Sequence, residues 1–389
     1  MKMKKIKFLD GCGIGFSCLL ISLNTGIVLG NGTEQGVVSM YGFDFAYIGD
    51  PGNRDTMPFE TPLVDSYIGG VEYEYRLATT EVTVGQYIEF VKMYYPYYVQ
   101  KTGDQIGQID FVGSFISASP GNIHVKPGCT ADQPTDLGWE YAARYANWLH
   151  HGKVNEDWAF ETGPYDTSTF VRDSDGYWLH QASRNPDSRF WIPSVDEWTK
   201  AGYWDPNKDE GEGGFWQYPN GTDTESRPGL PIEGGERNAG NTDDFPLGVG
   251  SFTQVKSPWG MYDMAGGQPE YTETVGINGF LHNRLACGSE YLDDSYGNNW
   301  ITDILAFNMG TVVRNIFFGD VDYRRLGLRL GAQSGFHPAD LDEDDRVDFF
   351  DISLFVDRFI NGDERVDFRA DGVLNADDVR VFLGLMGLE

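Results

Sequence analysis

The chain has 389 residues, of which 40% are apolar and 14% aromatic, so it can build a sizeable core and is not a mostly disordered protein. Its 49 glycines exceed the usual share and favour a turn-rich fold over a helical bundle. The formal net charge of −30 repels polyanions and disfavours a nucleic-acid partner. An acidic excess of this kind is typical of a solvated surface or of cation binding.

The first thirty residues are typical of a secretory signal peptide. A basic head precedes a mainly apolar stretch at 14–23, and the cleavage pattern at Val28-Leu29-Gly30 predicts a cut near Gly30–Asn31. The alternative, a membrane anchor, is disfavoured because the apolar stretch is short for a bilayer. Cleavage leaves 25 basic and 58 acidic residues, a net charge of −33, and no later stretch that is apolar enough to span a membrane. We therefore expect a secreted, bacterially exported protein.

Cysteine content agrees with export without proving it. Cys12 and Cys18 leave with the signal peptide, so the mature chain keeps Cys129 and Cys287. In an oxidising compartment these two thiols either pair or stay as separate buried thiols, and the sequence leaves both possibilities open.

The first elements predicted along the mature chain are a β-type run at 71–77 and a helix that follows it. Thr83 and Gln86 have the spacing of a capping box at the start of this helix. Val84, Tyr87, Ile88 and Val91 then lie on one helical face. Pro96 predicts the end of the helix.

Two more helices are predicted, at 137–149 and from Ser194, where Glu197 completes a second capping box. The stretch 205–250 is rich in Gly, Pro, Asn and Asp, and such a loop needs bound metal or aromatic packing to order it. The chain also has aromatic-rich runs, which comprise Tyr94, Tyr95, Tyr97, Tyr98, Trp198, Tyr203 and Trp204. These side chains either line a sugar- or peptide-binding groove or pack in the core and loops, and packing is the preferred interpretation.

The character of the chain changes near residue 336, because residues 340–389 hold fifteen acidic and five basic side chains. The first part of this stretch has the spacing of a calcium loop, with oxygen ligands at positions 1, 3, 5, 9 and 12 and a backbone carbonyl at position 7. The ligands are Asp340, Asp342, Asp344, Asp348 and Asp351, with the carbonyl of Arg346. A helical apolar stripe of Ile352, Phe355, Val356 and Phe359 follows.

The pattern recurs twenty-seven residues later. Its ligands are Asp367, Asp371, Asn375 and Asp378, with the carbonyl of Val373 at position 7, and they precede Val379, Phe382 and Leu383. Arg369 stands at position 3, where a cationic side chain cannot be a ligand, whereas the first loop has Asp345 where glycine usually makes the turn. We expect the first site to bind calcium more firmly.

Two loop–helix units with Asp at position 12 resemble the dockerin module of secreted bacterial proteins. The resemblance covers residues 339–389 and implies a small all-α domain with two calcium loops. It also implies a cohesin-like or cell-surface protein as partner. The alternative for this stretch is a solvated acidic tail, against which the repeated apolar stripe argues.

Residues 31–336 resemble the formylglycine-generating enzyme (sulfatase-modifying factor) family. The resemblance is carried by seven segments in the family's order, among them FWIPSVDEW at 190–198, PWGMYDMAG at 258–266 and LGLRL at 326–330. The others lie at 73–87, 137–149, 249–252 and 288–289. The resemblance implies an irregular α+β fold related to C-type lectins, with metal ions that hold its loops.

The family's reaction depends on a copper ion held by two cysteine thiolates just after the Gly-Ser motif. Aligned on Gly288-Ser289, the equivalent positions here are Leu292 and Gly297, and Cys287 precedes the motif. Because the soft cuprous ion selects thiolates, no copper is expected.

Other candidate metal ligands are weaker. Glu270 survives from an altered family motif and is a candidate ligand of a structural cation, calcium being the expected one. Asn238, Asn241, Asp243 and Asp244 form an oxygen-rich loop that is either a second such site or solvated. His150 and His151 follow a predicted helix, where its dipole favours cationic side chains, so a surface helix end is preferred over a ligand pair.

These observations predict a secreted, non-catalytic binding protein with a calcium-dependent docking module. The alternative is a metal- or oxygen-dependent protein-modifying enzyme that uses residues other than cysteine, which rests on fold analogy alone.

Overall fold

The computed structural model describes residues 36–58, 60, 67–172, 174, 178–238, 247–275, 284–288, 326–341, 347–369, 373–386 and 388. Outside these ranges lie the predicted signal peptide at 1–30 and several candidate positions, namely Asn241, Asp243, Asp244, Ser289, Leu292, Gly297, Asp342, Asp344, Arg346 and Asp371. Within the described ranges, no helix has the length and apolar character needed to cross a membrane.

The chain forms a mixed α and β structure with short, irregular sheets, which agrees with the predicted α+β class. The strands are β1 Val37–Met40, β2 Phe43–Ile48, β3 Tyr75–Ala78, β4 Ile116–Ser119, β5 Asn122–Val125, β6 Val171–Arg172, β7 Trp178–Leu179, β8 Phe190–Trp191, β9 Trp204–Asp205, β10 Gly214–Phe215, β11 Glu270–Val275, β12 Arg284–Cys287 and β13 Gly331–Gln333. The α-helices are α1 Val84–Thr102, α2 Ile109–Val112, α3 Trp139–His150, α4 Asp157–Glu161, α5 Val195–Tyr203, α6 Phe349–Asn361 and α7 Ala376–Leu385. Short 3-10 turns occupy Thr167–Thr169, Asp209–Gly211, Pro231–Glu233 and Glu364–Val366.

The largest described sheet has five antiparallel strands in the order β1-β2-β3-β13-β8. Its fourth strand, β13, comes from the end of the main domain and pairs with β3 on one side and β8 on the other. A Cβ atom at Gly331 would lie 2.4 Å from Nε1 of Trp191, so this position requires glycine. The sheet therefore joins the beginning, middle and end of the main domain.

Helix α1 begins as predicted and ends later than predicted. The capping box is present, because Gln86 N donates to Thr83 Oγ1 and Thr83 N donates to Gln86 Oε1. The prediction that Pro96 ends the helix is wrong, since α1 continues to Thr102 and closes at Gly103 in the left-handed conformation. Tyr95 and Tyr98 on either side of the proline are buried, and their packing outweighs the hydrogen bond that proline cannot donate.

The other predictions of local structure are largely confirmed. Helix α3 starts two residues later than expected, and Ser194 and Glu197 form the predicted capping box of α5. The β-type run is wrong at its start, because the strand begins at Tyr75. Val71 lies outside the strand, and its N–H donates to Asn53 Oδ1. Aromatic packing helps to order the described part of the predicted loop at 205–250. The ring of Phe215 in this loop is centred 4.9 Å from the ring of Trp204, which precedes it.

Among the described residues, apolar side chains gather in three clusters. Two belong to the main domain, and the third lies between Ala339 and Met386, with Phe355 and Phe382 stacked at 4.1 Å across the two C-terminal helices. Of the stripe predicted on α6, Phe355 is buried but Val356 is exposed, so the stripe is narrower than predicted. The buried face of α6 is set by its contact with α7.

Candidate functional site

Glu270, a predicted metal ligand, is the centre of a buried ion pair. Arg329 Nη2 lies 2.7 Å from Glu270 Oε1 and Nε lies 2.9 Å from Oε2, and both side chains are almost fully buried. Trp198 Nε1 donates to Oε2 at 2.7 Å. Both carboxylate oxygens of Glu270 therefore have protein donors, while its role as a metal ligand stays a prediction.

Arg329 extends this contact to two more segments. Its Nη1 donates to the carbonyl of Ala78 in β3, and its Nη2 donates to the carbonyl of Tyr262, each at 3.0 Å. Burial lowers the pKa of Arg329, but the carboxylates of Glu270, Glu81 and Asp263 together outweigh it, so the pKa is raised overall. The guanidinium stays charged and ties together β3, β11 and the 258–266 segment.

Two further carboxyl groups face this ion pair. Burial raises the pKa of Glu81 well above its usual range, and the charges of Glu270 and Asp263 raise it further. Glu81 Oε1 accepts a hydrogen bond from Gln268 N at 2.7 Å. Asn238 lies nearby, where its Oδ1 accepts from Gly267 N at 2.8 Å.

A second buried network was not predicted from the sequence. Arg184 donates to Glu197 Oε1 at 2.8 Å and to Glu273 Oε1 at 2.6 Å, and its guanidinium lies 4.3 Å from the ring centre of Trp191. Glu197 also accepts from Tyr73 OH at 2.9 Å. The capping-box spacing predicted that Glu197 lies at the start of a helix. Its partner Arg184 lies in an irregular segment, where no local sequence pattern indicates the contact.

Cys129 and Cys287 do not pair with each other. Cys287 ends β12 and is fully buried, and burial raises its pKa well above the usual range, so the thiolate is disfavoured. Cys129 is half-buried, and burial also raises its pKa. Of the two possibilities left open by the sequence, the structure has separate thiols.

The first predicted calcium loop is described at its two ends. Asp340 and Asp351, at positions 1 and 12, are both buried. The Asp351 carboxylate accepts from Leu341 N at 2.6 Å and from Asp348 N at 2.7 Å, so the last position of the loop folds back onto the first. Asp348 caps α6 through Phe350 N.

The second loop repeats this arrangement. Asp367 and Asp378 are buried, and the Asp378 carboxylate accepts from Arg369 N at 3.2 Å and from Asn375 N at 2.8 Å. The carbonyl of Val373, the expected position-7 ligand, accepts from Asn375 Nδ2 at 2.9 Å. The guanidinium of Arg369 pairs with Asp377 at the surface.

No three His, Cys, Asp or Glu side chains among the described residues are arranged to hold a metal ion. His150 is the last residue of α3 and His151 its C-cap, as a helix end predicts. The expected cationic character is wrong for His150: burial, then His151 and Arg189, lower its pKa to about 3. Its Nδ1 instead accepts from Arg189 N at 3.1 Å.

The aromatic-rich runs lie largely in the core rather than along a groove. Tyr94, Tyr95, Tyr98, Trp198, Tyr203 and Trp204 are all buried.

Comparison with known proteins gives no family assignment. No family model matches the chain, and no curated protein matches it. Among solved structures, the crystal structure of CarF is 18% identical, with a TM-score of 0.38 over 76% of this chain and 99% of that chain. Treponema denticola variable protein 1 is 14% identical, with a TM-score of 0.39 over 75% and 95% of the two chains.

PvdO from Pseudomonas aeruginosa is 12% identical, with a TM-score of 0.36 over 77% of this chain and 99% of that chain. At TM-scores below 0.5, neither the detailed fold nor the activity of these three proteins transfers to this chain.

Removing the charge of Glu270 tests the buried ion pair. Glu270→Gln leaves the Arg329 guanidinium buried without its counter-ion, so we expect the free energy of unfolding to fall by about 3–5 kcal/mol. Denaturant unfolding measures this loss, with the exposed Glu212→Gln as control. We expect the same loss of unfolding free energy in the presence of calcium and in the presence of a chelator. A loss seen only when calcium is present would mean that Glu270 holds a cation.

The partly buried His150 predicts an acid-sensitive fold. Its folded-state pKa of about 3 lies below the usual value near 6.5, so the unfolded chain binds the proton first. Its contribution to stability is complete above about pH 6.5 and is lost as the pH falls towards 3. We expect His150→Asn to reduce the fall in melting temperature between pH 6.5 and 4, whereas the exposed His124→Asn should leave that fall unchanged. Parallel curves of melting temperature against pH for the unaltered chain and both variants would contradict this.

Proposed function

We propose that this chain is a secreted, non-catalytic member of the formylglycine-generating enzyme family. Its main domain acts as a binding or display domain with an irregular C-type-lectin-like fold. Its C-terminal residues 339–389 form a dockerin-like module that binds calcium and docks onto a cohesin-like or cell-surface protein.

The observation that carries the calcium proposal is the repeated closure of the two loops. In each copy the carboxylate at position 12 is buried and held by two backbone N–H groups, one of them at the start of the same loop. Asp340 and Asp367, at position 1, are also buried. Buried carboxylates are costly without a counter-charge, and a calcium ion supplies one.

The environment of Cys287 supports the non-catalytic part of the proposal. A copper site of the family's kind needs two thiolates, and the aligned positions hold Leu292 and Gly297. The neighbouring thiol of Cys287 is fully buried, and its raised pKa disfavours the thiolate. This thiol is therefore a poor substitute for the missing pair.

Calcium titration tests the docking module. Asp340→Asn with Asp351→Asn removes two ligand charges while keeping side-chain oxygens for the backbone N–H groups, so we expect calcium affinity to fall roughly tenfold or more. Calorimetry on the full chain measures this, and the exposed Asp357→Asn on α6 is the matched control. If the unaltered chain binds no calcium near millimolar concentration, the proposal fails.

Copper titration tests the absence of the family's reaction. We expect no stoichiometric copper(I) binding and no aerobic oxidation of a cysteine-containing peptide, because only one buried thiol lies near the motif. A peptide with serine in place of cysteine is the control. Stoichiometric copper binding with turnover would replace the proposal with an oxidase that uses other ligands.

A further inference from the structure

The segment that joins the main domain to the C-terminal module is short and is held at both ends. On the main-domain side it leaves β13, and the carbonyl of Ser334 accepts a hydrogen bond from Arg76 Nε at 3.1 Å. On the module side, Ala339 is already fully buried in the apolar cluster of the module. Only residues 335–338 lie between these two fixed positions.

Phe336 anchors this segment to the main domain. Its ring centre lies 5.5 Å from that of Phe190 in β8, with the two rings edge to face, and the guanidinium of Arg189 lies 5.1 Å from the same ring centre. Phe336 N also donates to the carbonyl of Gln333, the last residue of β13, at 3.3 Å. The ring packs against the larger apolar cluster of the main domain, so its position depends on the sheet.

A turn carries the chain from this anchor directly into the first predicted calcium loop. Asp340 N donates to the carbonyl of His337 at 3.0 Å, which closes the turn, and Ala339 N donates to His337 Nδ1 at 3.1 Å. Pro338 occupies the second position of the turn, where its fixed φ favours this geometry. The first position of the calcium loop is therefore attached through an ordered turn rather than through a flexible linker.

The module has little core of its own. Its cluster contains six buried residues among those described, namely Ala339, Leu341, Phe355, Val366, Phe382 and Met386. Two of the six, Ala339 and Leu341, directly follow or belong to the joining turn. Below about 70–80 residues a single apolar core rarely suffices, so a module at 339–389 depends on a bound metal or on the structure to which it is attached.

We propose that the main domain and the module unfold as one cooperative unit, so that calcium in the first loop stabilises the main domain. This coupling rests on the proposed function, because it needs the loop to bind calcium. Displacement of Asp340 alters the turn that begins at His337, and the turn is continuous with the packed Phe336 at the end of β13. An ion that binds only the folded module then stabilises everything that unfolds with that module.

Tryptophan fluorescence measures the main domain alone, because all ten tryptophans lie between Trp139 and Trp300 and none lies in the module. We expect the melting temperature followed in this way to rise by about 4 °C between a chelator and calcium at roughly a hundred times its Kd. Calorimetric titration of the same full chain establishes whether calcium binds. Binding with an unchanged melting temperature overturns the coupling and leaves the proposed function intact, whereas an absence of binding overturns both.

A flexible insertion locates the coupling in the joining segment. Gly-Ser-Gly-Ser between His337 and Pro338 should leave calcium binding measurable by calorimetry and remove most of the rise in melting temperature. The same insertion after Ile232, which is 92% exposed at a loop tip, is the matched control and should keep the rise. A full rise in the junction variant would contradict the proposal.

The ligand variant separates this effect from an ion bound elsewhere. Asp340→Asn with Asp351→Asn should abolish the calcium-dependent rise in the melting temperature of the tryptophan signal. A rise that persists in this variant would assign the stabilisation to calcium bound in the main domain and overturn the coupling.

A variant outside the calcium loops gives an independent test. Phe382 is buried in the module and stacks on Phe355 at 4.1 Å. With calcium present, Phe382→Ala should lower the melting temperature of the tryptophan signal by about 4 °C or more, although the side chain lies in the module. The exposed Phe350→Ala is the control. An unchanged tryptophan signal in Phe382→Ala would mean that the two parts unfold separately.

Discussion

The main domain is organised around the buried ion pair between Glu270 and Arg329. One guanidinium contacts β3, β11 and the 258–266 segment, and Trp198 brings α5 to the same carboxylate. A domain with such short strands has few ladder hydrogen bonds with which to hold its loops. Buried charges that are paired and fully hydrogen-bonded fix the relative positions of these segments, because any displacement leaves a charge without compensation.

The acidity of the chain has separate structural consequences in its two parts. In the C-terminal module, the carboxylates of Asp351 and Asp378 recur at equivalent places and close their own loops. In the main domain, Glu81 and Asp263 face the Arg329 guanidinium, whose charge lowers the pKa of both carboxyl groups against the effect of burial. We propose that calcium offsets the first set of charges, whereas a guanidinium of the chain itself contributes to offsetting the second.

Local features could be predicted from the sequence, and long-range ones could not. Both main-domain capping boxes were identified because their partners are three residues apart. The prediction that α1 ends at Pro96 was wrong, because buried tyrosines in the surrounding core stabilise the helix beyond the proline. The proposed calcium loops follow a spacing that the sequence alone shows, whereas Asp342, Asp344, Arg346 and Asp371 lie outside the described residues, so the ligand sets stay a prediction. Glu270 was singled out as a ligand, but its partner Arg329 is 59 residues away, and no local pattern indicates that contact.

We propose that calcium binds the C-terminal loops, whereas the positive charge beside Glu270 is the guanidinium of Arg329. Anomalous diffraction from crystals of the full chain grown with calcium tests both halves at once. The account predicts an ion between Asp340 and Asp351, and Arg329 still within hydrogen-bond distance of Glu270. An ion at Glu270 with Arg329 displaced, together with an empty first loop, would contradict it.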